Sequence, residues 1–245
     1  MTPRTRWKGS YGHDRAPPGR AHGLATVMSL PVGPAPKKKS PAWKTGGITI
    51  LTFVALLYVV ELADQLSGGR LDRNGIRPLE TDGLWGVLFA PLLHANWEHL
   101  MANTVPALVL GFLVTLAGMA RFVWATAIIW ILGGIGTWLI GDVGGCPLPT
   151  NHIGASGLIF GWLTFLLVFG WFTRHIWQIV VGILVLLVYG GILWGAVPVL
   201  NTCGGVSWQG HLCGAISGVI AAYVLAGPER KVRDSRKRSQ PYLTS

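Results

Sequence analysis

The sequence predicts an all-α membrane protein, a bundle of six transmembrane helices, and three observations carry that prediction. Of the 245 residues 51% are apolar and 12% are charged, with a mean hydropathy of +0.47, a balance that excludes an ordinary soluble domain. Apolar windows long enough to cross a hydrocarbon core of about 30 Å recur along the chain, at residues 45–66, 99–119, 122–141, 154–172, 176–197 and 210–227. The net charge of +10 sits at the two ends, which points to a lipid bilayer as the partner and away from nucleic acid. Backbone polar groups inside a bilayer must be satisfied within each span, so the windows are helices; they are too long and too uniformly apolar for barrel strands.

Residues 1–44 mix Pro, Gly, Arg and Lys without periodicity and read as a disordered basic arm. Within it Lys37, Lys38 and Lys39 form a topology anchor that touches anionic headgroups. Residues 228–245 carry Arg230, Lys231, Arg233, Arg236, Lys237 and Arg238 and read as a basic, disordered tail. Basic flanks at both ends put both termini on the cytoplasmic side, which requires an even number of spans. The short connections agree, because Arg121 and Arg174 fall on the inner side whereas 142–153 carries only Asp142.

The first outer connection, residues 67–98, is long enough to need a role. Gly68-Gly69 and Asn74-Gly75 punctuate it as turns. Leu84 to His94 is apolar, aromatic and too short to cross, so a partly inserted segment is expected, with Trp85 and Trp97 at headgroup depth. Cys146 and Cys203 fall in outer connections and can pair if that compartment is oxidising, whereas Cys213 is a packing residue of the sixth span. Neither the cysteines nor the scattered histidines have metal-ligand spacing, so no metal or cofactor is expected.

With both termini inside, spans two, four and six all descend from the outer face, and their first residues share one depth. Span two opens with His99, and Asn103 follows on the same helical face. Span four opens with Ser156, inside Gly154-Ala155-Ser156-Gly157, and span six with His211. Each has a plainer reading by itself: a helix cap for the serine, a hydrogen-bonded structural group for the histidine, interhelical glue for Asn103. Their convergence at one depth favours a site, since intramembrane polar groups are costly and usually functional.

Gly210, Gly214 and Gly218 recur every four residues, as do Gly157 and Gly161. Such small-residue faces let two helices approach closely, bringing Ser156 and His211 within hydrogen-bond reach and Phe160 beneath the imidazole. A serine hydroxyl is a poor nucleophile until a neighbouring base takes its proton, and imidazole suits that task. The backbone N–H of Ser156 at a helix start, with the side chains of His99 and Asn103, can supply oxyanion donors. No acid lies beside His211 in the sequence, so a dyad without an orienting aspartate is expected.

His94, His99 and Asn103, then Gly154-Ala155-Ser156-Gly157, then His211, Gly214 and Gly218, in this order and on alternate spans, resemble the rhomboid intramembrane serine proteases over about residues 45–227. The resemblance implies a rhomboid-like bundle with Ser156 as nucleophile, His211 as general base, His99 and Asn103 as oxyanion donors and His94 in support. It also implies transmembrane protein substrates, cleaved in or near a membrane segment at small residues, and a water-filled cavity open to the outer face. Six spans match the family's minimal bacterial form, which implies a bacterial plasma membrane. The family usually carries a Trp-Arg pair nine residues before its first histidine, and here that register holds Trp85-Gly86. Gly86 is the one feature favouring a non-catalytic rhomboid-like protein that binds transmembrane clients. A small transporter would show repeated halves, which the sequence lacks, and oligomeric state has no signature in it.

Overall fold

In the computed structural model, residues 41–144, 150–198 and 206–239 are described. Among them six helices are long and apolar enough to cross a membrane. The helices are α1 (Ala42–Ser67), α2 (Gly86–Phe89), α3 (Trp97–Leu116), α4 (Met119–Ile140), α5 (Ser156–Thr173), α6 (Ile176–Tyr189), α7 (Trp208–Leu225) and α8 (Gly227–Ser239). All but α2 and α8 form the spans, α6 being prolonged to Ala196 by a 3-10 stretch. Lys37 to Lys39, Cys146 and Cys203 lie outside the described residues.

Helix α5 is the central element, packed against α3, α4, α6 and α7, and most of its residues are buried. Its closest partner is α7. A methyl group on Gly214 would overlap the Gly157 main chain, and one on Gly218 would overlap that of Gly161. The Thr164 hydroxyl then donates across this seam to Ala215 O at 2.7 Å. The glycine spacing expected to join spans four and six therefore does so, by backbone contact that any Cβ would forbid.

Helix α3 begins two residues earlier than the apolar window suggests, because Asn96 caps it: its Oδ1 accepts from the His99 N–H at 2.8 Å. The tail also differs from expectation. Residues 228–239, expected to be disordered, continue as α8. Glu, Arg and Lys are good helix formers, and Pro228 stands in the first turn, where a missing N–H costs nothing. Arg121 pairs with Glu229, and Arg233 Nη1 donates to Phe172 O at 3.3 Å. These contacts gather basic side chains at the end of α5 opposite Ser156.

The connection between α1 and α3 is built of short turns: 3-10 at Asp72–Asn74 and Asp82–Trp85, then α2, then 3-10 at Ala90–Leu92. Leu84, Trp85, Leu88 and Phe89 face outward, while Ile76, Val87 and Ala90 are buried beside Trp138. This apolar outer face is what a partly inserted segment requires. The anchoring that a loop arginine would give has other sources. Trp130 Nε1 donates to Val87 O at 2.8 Å and Trp138 Nε1 to Glu80 O at 2.9 Å. Ile76 and His152 form an isolated antiparallel bridge. Gly86 lies so close to the Gly75 and Ile76 backbone that no side chain fits there.

Candidate active site

Two glycine-bearing turns set up the site. Gly154 adopts φ +121°, a region that side-chain-bearing residues rarely enter, and turns the chain so that α5 starts on Ser156. Ser207 caps α7 by accepting the Gly210 N–H at 2.9 Å, which leaves His211 on the first turn of that helix. The seam of glycines then fixes the distance between the two helix starts.

Ser156 Oγ lies 2.9 Å from His211 Nε2. The other ring nitrogen, Nδ1, lies 3.1 Å from Gly195 O. A carbonyl can only accept, so Nδ1 carries the hydrogen and Nε2 presents its lone pair to the serine hydroxyl. That is the tautomer a general base needs. Phe160 stacks on the imidazole with ring centroids 4.0 Å apart and planes 11° from parallel, as the one-turn spacing from Ser156 predicts. The orienting group is thus a backbone carbonyl of the 3-10 stretch after α6.

The remaining expected residues fall around this pair. An atom built at the Cβ position of Gly154 would come within 2.9 Å of His99 Nε2 and 3.7 Å of Ser156 Oγ, so the His99 ring edge and the serine face a common space. Asn103 sits one turn further along α3, buried, with Nδ2 donating to His99 O at 3.0 Å; it bonds to its own helix and not to the serine. His94 is buried, its Nε2 accepts the Ala155 N–H at 3.4 Å, and its ring meets His99 edge-on at 5.1 Å. Burial, with the neighbouring His99, pulls the His94 pKa down to about 4. The ring is therefore neutral near pH 7, as an accepting nitrogen must be.

Sequence reasoning missed Gly195, His152, Ser207 and Thr137. The last three, with Ser156, Gly154 and Gly210, line a cavity of about 50 Å³ beside the dyad, roomy and polar enough for water. Ser207 could have been found from its type, since a serine ahead of an apolar run is a capping signal. The Gly195 carbonyl leaves no signal in residue type.

Six membrane helices, a serine at the head of one, and its histidine at the head of another define the class of protein. The Rhomboid domain profile matches residues 81–228, and the chain belongs to the rhomboid family. It is 68% identical to an uncharacterized protein of Mycobacterium tuberculosis (strain H37Rv) over 95% of this chain and 93% of that one. An uncharacterized protein of Mycobacterium leprae is 59% identical over 95% of this chain and 94% of its own length. A Bacillus subtilis protein whose name, YdcA, carries the words rhomboid protease is 39% identical over 33% of this chain and 39% of its own.

Proposed function

We propose that this integral membrane protein is an intramembrane serine endopeptidase that cleaves membrane-anchored proteins in or near a transmembrane segment. One observation carries the reading: the 2.9 Å contact between Ser156 Oγ and His211 Nε2, with the ring held in the accepting tautomer by Gly195 O. Ser156 Oγ attacks the scissile carbonyl as its proton passes to His211 Nε2. The tetrahedral oxyanion is met by the Ser156 N–H, the His99 ring and the second amide hydrogen of Asn103. The C–N bond then breaks, the His211 proton goes to the leaving amine, and an acyl ester remains on Ser156. A water deprotonated by His211 hydrolyses that ester and restores the serine. The cavity of about 50 Å³ beside the dyad is a place where such water can wait.

The reading extends to topology. Arg121, Arg174 and Arg233 lie at the bundle end away from the dyad, and the positive-inside bias makes that end cytoplasmic. The site then opens to the extracytoplasmic side of a bacterial plasma membrane, a setting that the mycobacterial relatives fit. The client-binding alternative rests on Gly86. The bonds from Trp130 and Trp138, which hold the outer connection without an arginine at position 86, weigh for the catalytic reading.

The test is reconstitution of the full chain in proteoliposomes with a single-span substrate, together with fluorophosphonate labelling. Cleavage and labelling are both expected to vanish in Ser156→Ala, and cleavage in His211→Ala. Asn103→Ala is expected to lose about 3 kcal/mol of transition-state stabilisation. Cleavage that persists in Ser156→Ala would overturn the proposal.

A further inference from the structure

A second chain of polar groups lies beside the dyad. Asp142, at the end of α4, accepts from the Thr150 hydroxyl at 2.6 Å. Thr150 Oγ1 lies 2.9 Å from His152 Nε2, and His152 Nδ1 lies 2.6 Å from Ser207 Oγ. Ser207 Oγ in turn accepts the Gly210 N–H at 2.9 Å. His152 is 7% exposed.

The direction of every bond in this chain follows from its ends. A carboxylate only accepts, so the single hydrogen of the Thr150 hydroxyl is committed to Asp142. His152 Nε2 must then donate to Thr150, which leaves Nδ1 as an acceptor for the Ser207 hydroxyl hydrogen. Ser207 donates to His152 and accepts from the start of α7. With a neutral His152 the chain has one consistent arrangement. Burial lowers the His152 pKa, against the opposing pull of Asp142 and of the Gly141 carbonyl.

Its position gives it a task. His152 precedes Ser156 by one turn's worth of chain and is pinned from the other side by its bridge to Ile76. Ser207 precedes His211 by the same interval, and the His211 N–H makes its first helical bond to Ser207 O at 3.1 Å. The 2.6 Å contact therefore joins the segment that carries the nucleophile to the cap of the helix that carries the base. The seam glycines set how near α5 and α7 approach, while this contact sets where along its axis α7 begins.

We propose that His152 and Ser207 are positioning residues that act as one unit, holding the nucleophile segment and the base helix in the register at which the Ser156 hydroxyl meets His211. This inference rests on the protease reading above. Neither residue bonds to the Ser156 or His211 side chain; each acts on the reaction through the placement of its neighbour four residues on.

The experiment is a double-mutant cycle on the full chain in proteoliposomes. His152→Ala and Ser207→Ala are each expected to lower kcat about 10- to 100-fold, the penalty of a misplaced reactive group, with KM within about twofold of wild type. The double variant is expected to be no slower than the slower single variant, and Ser207→Thr, which keeps the hydroxyl, to recover most of the Ser207→Ala loss. Should His152→Ala fail to fold, His152→Phe serves in its place, because it keeps a ring and removes the nitrogen that accepts the Ser207 hydroxyl. Losses that multiply in the double variant, or a His152→Ala or His152→Phe protein with wild-type kcat, would overturn the inference. The rate of fluorophosphonate labelling separates the two readings. An inert wild type removes the protease assignment itself, whereas a reactive wild type beside an equally reactive His152→Ala removes only the positioning role.

Discussion

The histidine of the dyad is held by two walls built in different ways. On one side, α5 and α7 meet backbone to backbone, and 56% and 44% of their apolar windows are buried inside the protein. On the other, α6 and its 3-10 extension supply the Gly195 carbonyl, yet only 11% of that window is buried. The seam is stiff because its contacts are main chain, which cannot adopt another rotamer. The α6 wall leans on the bundle through a few residues, Gly182 and Val185 among them, and gives most of its surface to the surroundings. Rigid placement of Ser156 and His211 thus comes from one wall, and the Gly195 carbonyl from a wall with far fewer anchors.

Breaking the seam is expected to have the largest effect. Gly214→Leu drives a side chain into the Gly157 main chain, which cannot move aside. The expected result is a loss of about 3 kcal/mol or more, beyond the usual range for overpacking, seen as failure to recover folded protein or as collapse of the unfolding midpoint in detergent. Truncation of the buried core sharpens the contrast between the walls. Leu163, with 0% exposure in α5, should cost about 2 kcal/mol or more as Leu163→Ala. Leu187, 77% exposed on α6, should stay within about 0.5 kcal/mol as Leu187→Ala in the same assay.

Gly86→Arg should come next. It restores the residue type that the resemblance leads one to expect, yet its Cβ would strike the Gly75 and Ile76 backbone. A destabilisation of about 1–3 kcal/mol is expected, together with faster proteolysis of the 67–96 connection. A stabilised Gly86→Arg protein would show that this connection has the more usual arginine-anchored form.

A pH-dependent effect lies just beyond the end of α1. Burial raises the Asp72 pKa to about 6, with Asp64 and then Glu61 adding to the rise. Because the folded pKa exceeds the unfolded value, the folded state holds its proton longer. The stability it contributes is present below about pH 4 and is lost as pH rises through about 6. Asp72→Asn should flatten the unfolding midpoint across that window, and an unchanged slope in the variant would contradict the assignment.

Much of this was legible because it repeats or alternates. Spans announce themselves by length and hydropathy, and the glycine faces by their four-residue period. Ser156 and His211 could be paired because their helices share a direction and therefore a depth. The start of α3 was misjudged by two residues because apolar content outweighed a capping asparagine at Asn96. Helix α8 was missed because its charge density resembles that of disordered tails, although Glu, Lys and Arg favour helix strongly. The contact between His152 and Ser207 spans 55 positions and joins two loops. Nothing periodic marks it, and only the fold brings the two together.

The partner of His211 Nδ1 is a peptide carbonyl, and no side-chain substitution deletes a carbonyl. An alanine scan would pass over this contact, recording at position 195 only the crowding of a new methyl group 3.1 Å from His211 Nδ1 and from Phe160 Cζ. Among Ser156, His211 and the Gly195 carbonyl, natural selection can reach the third partner only through the shape of the chain. What can be inherited is the smallness of Gly195 and the 3-10 path that brings it in. Drift in the residues of α6 can leave this contact intact while a single added methyl at 195 disturbs it.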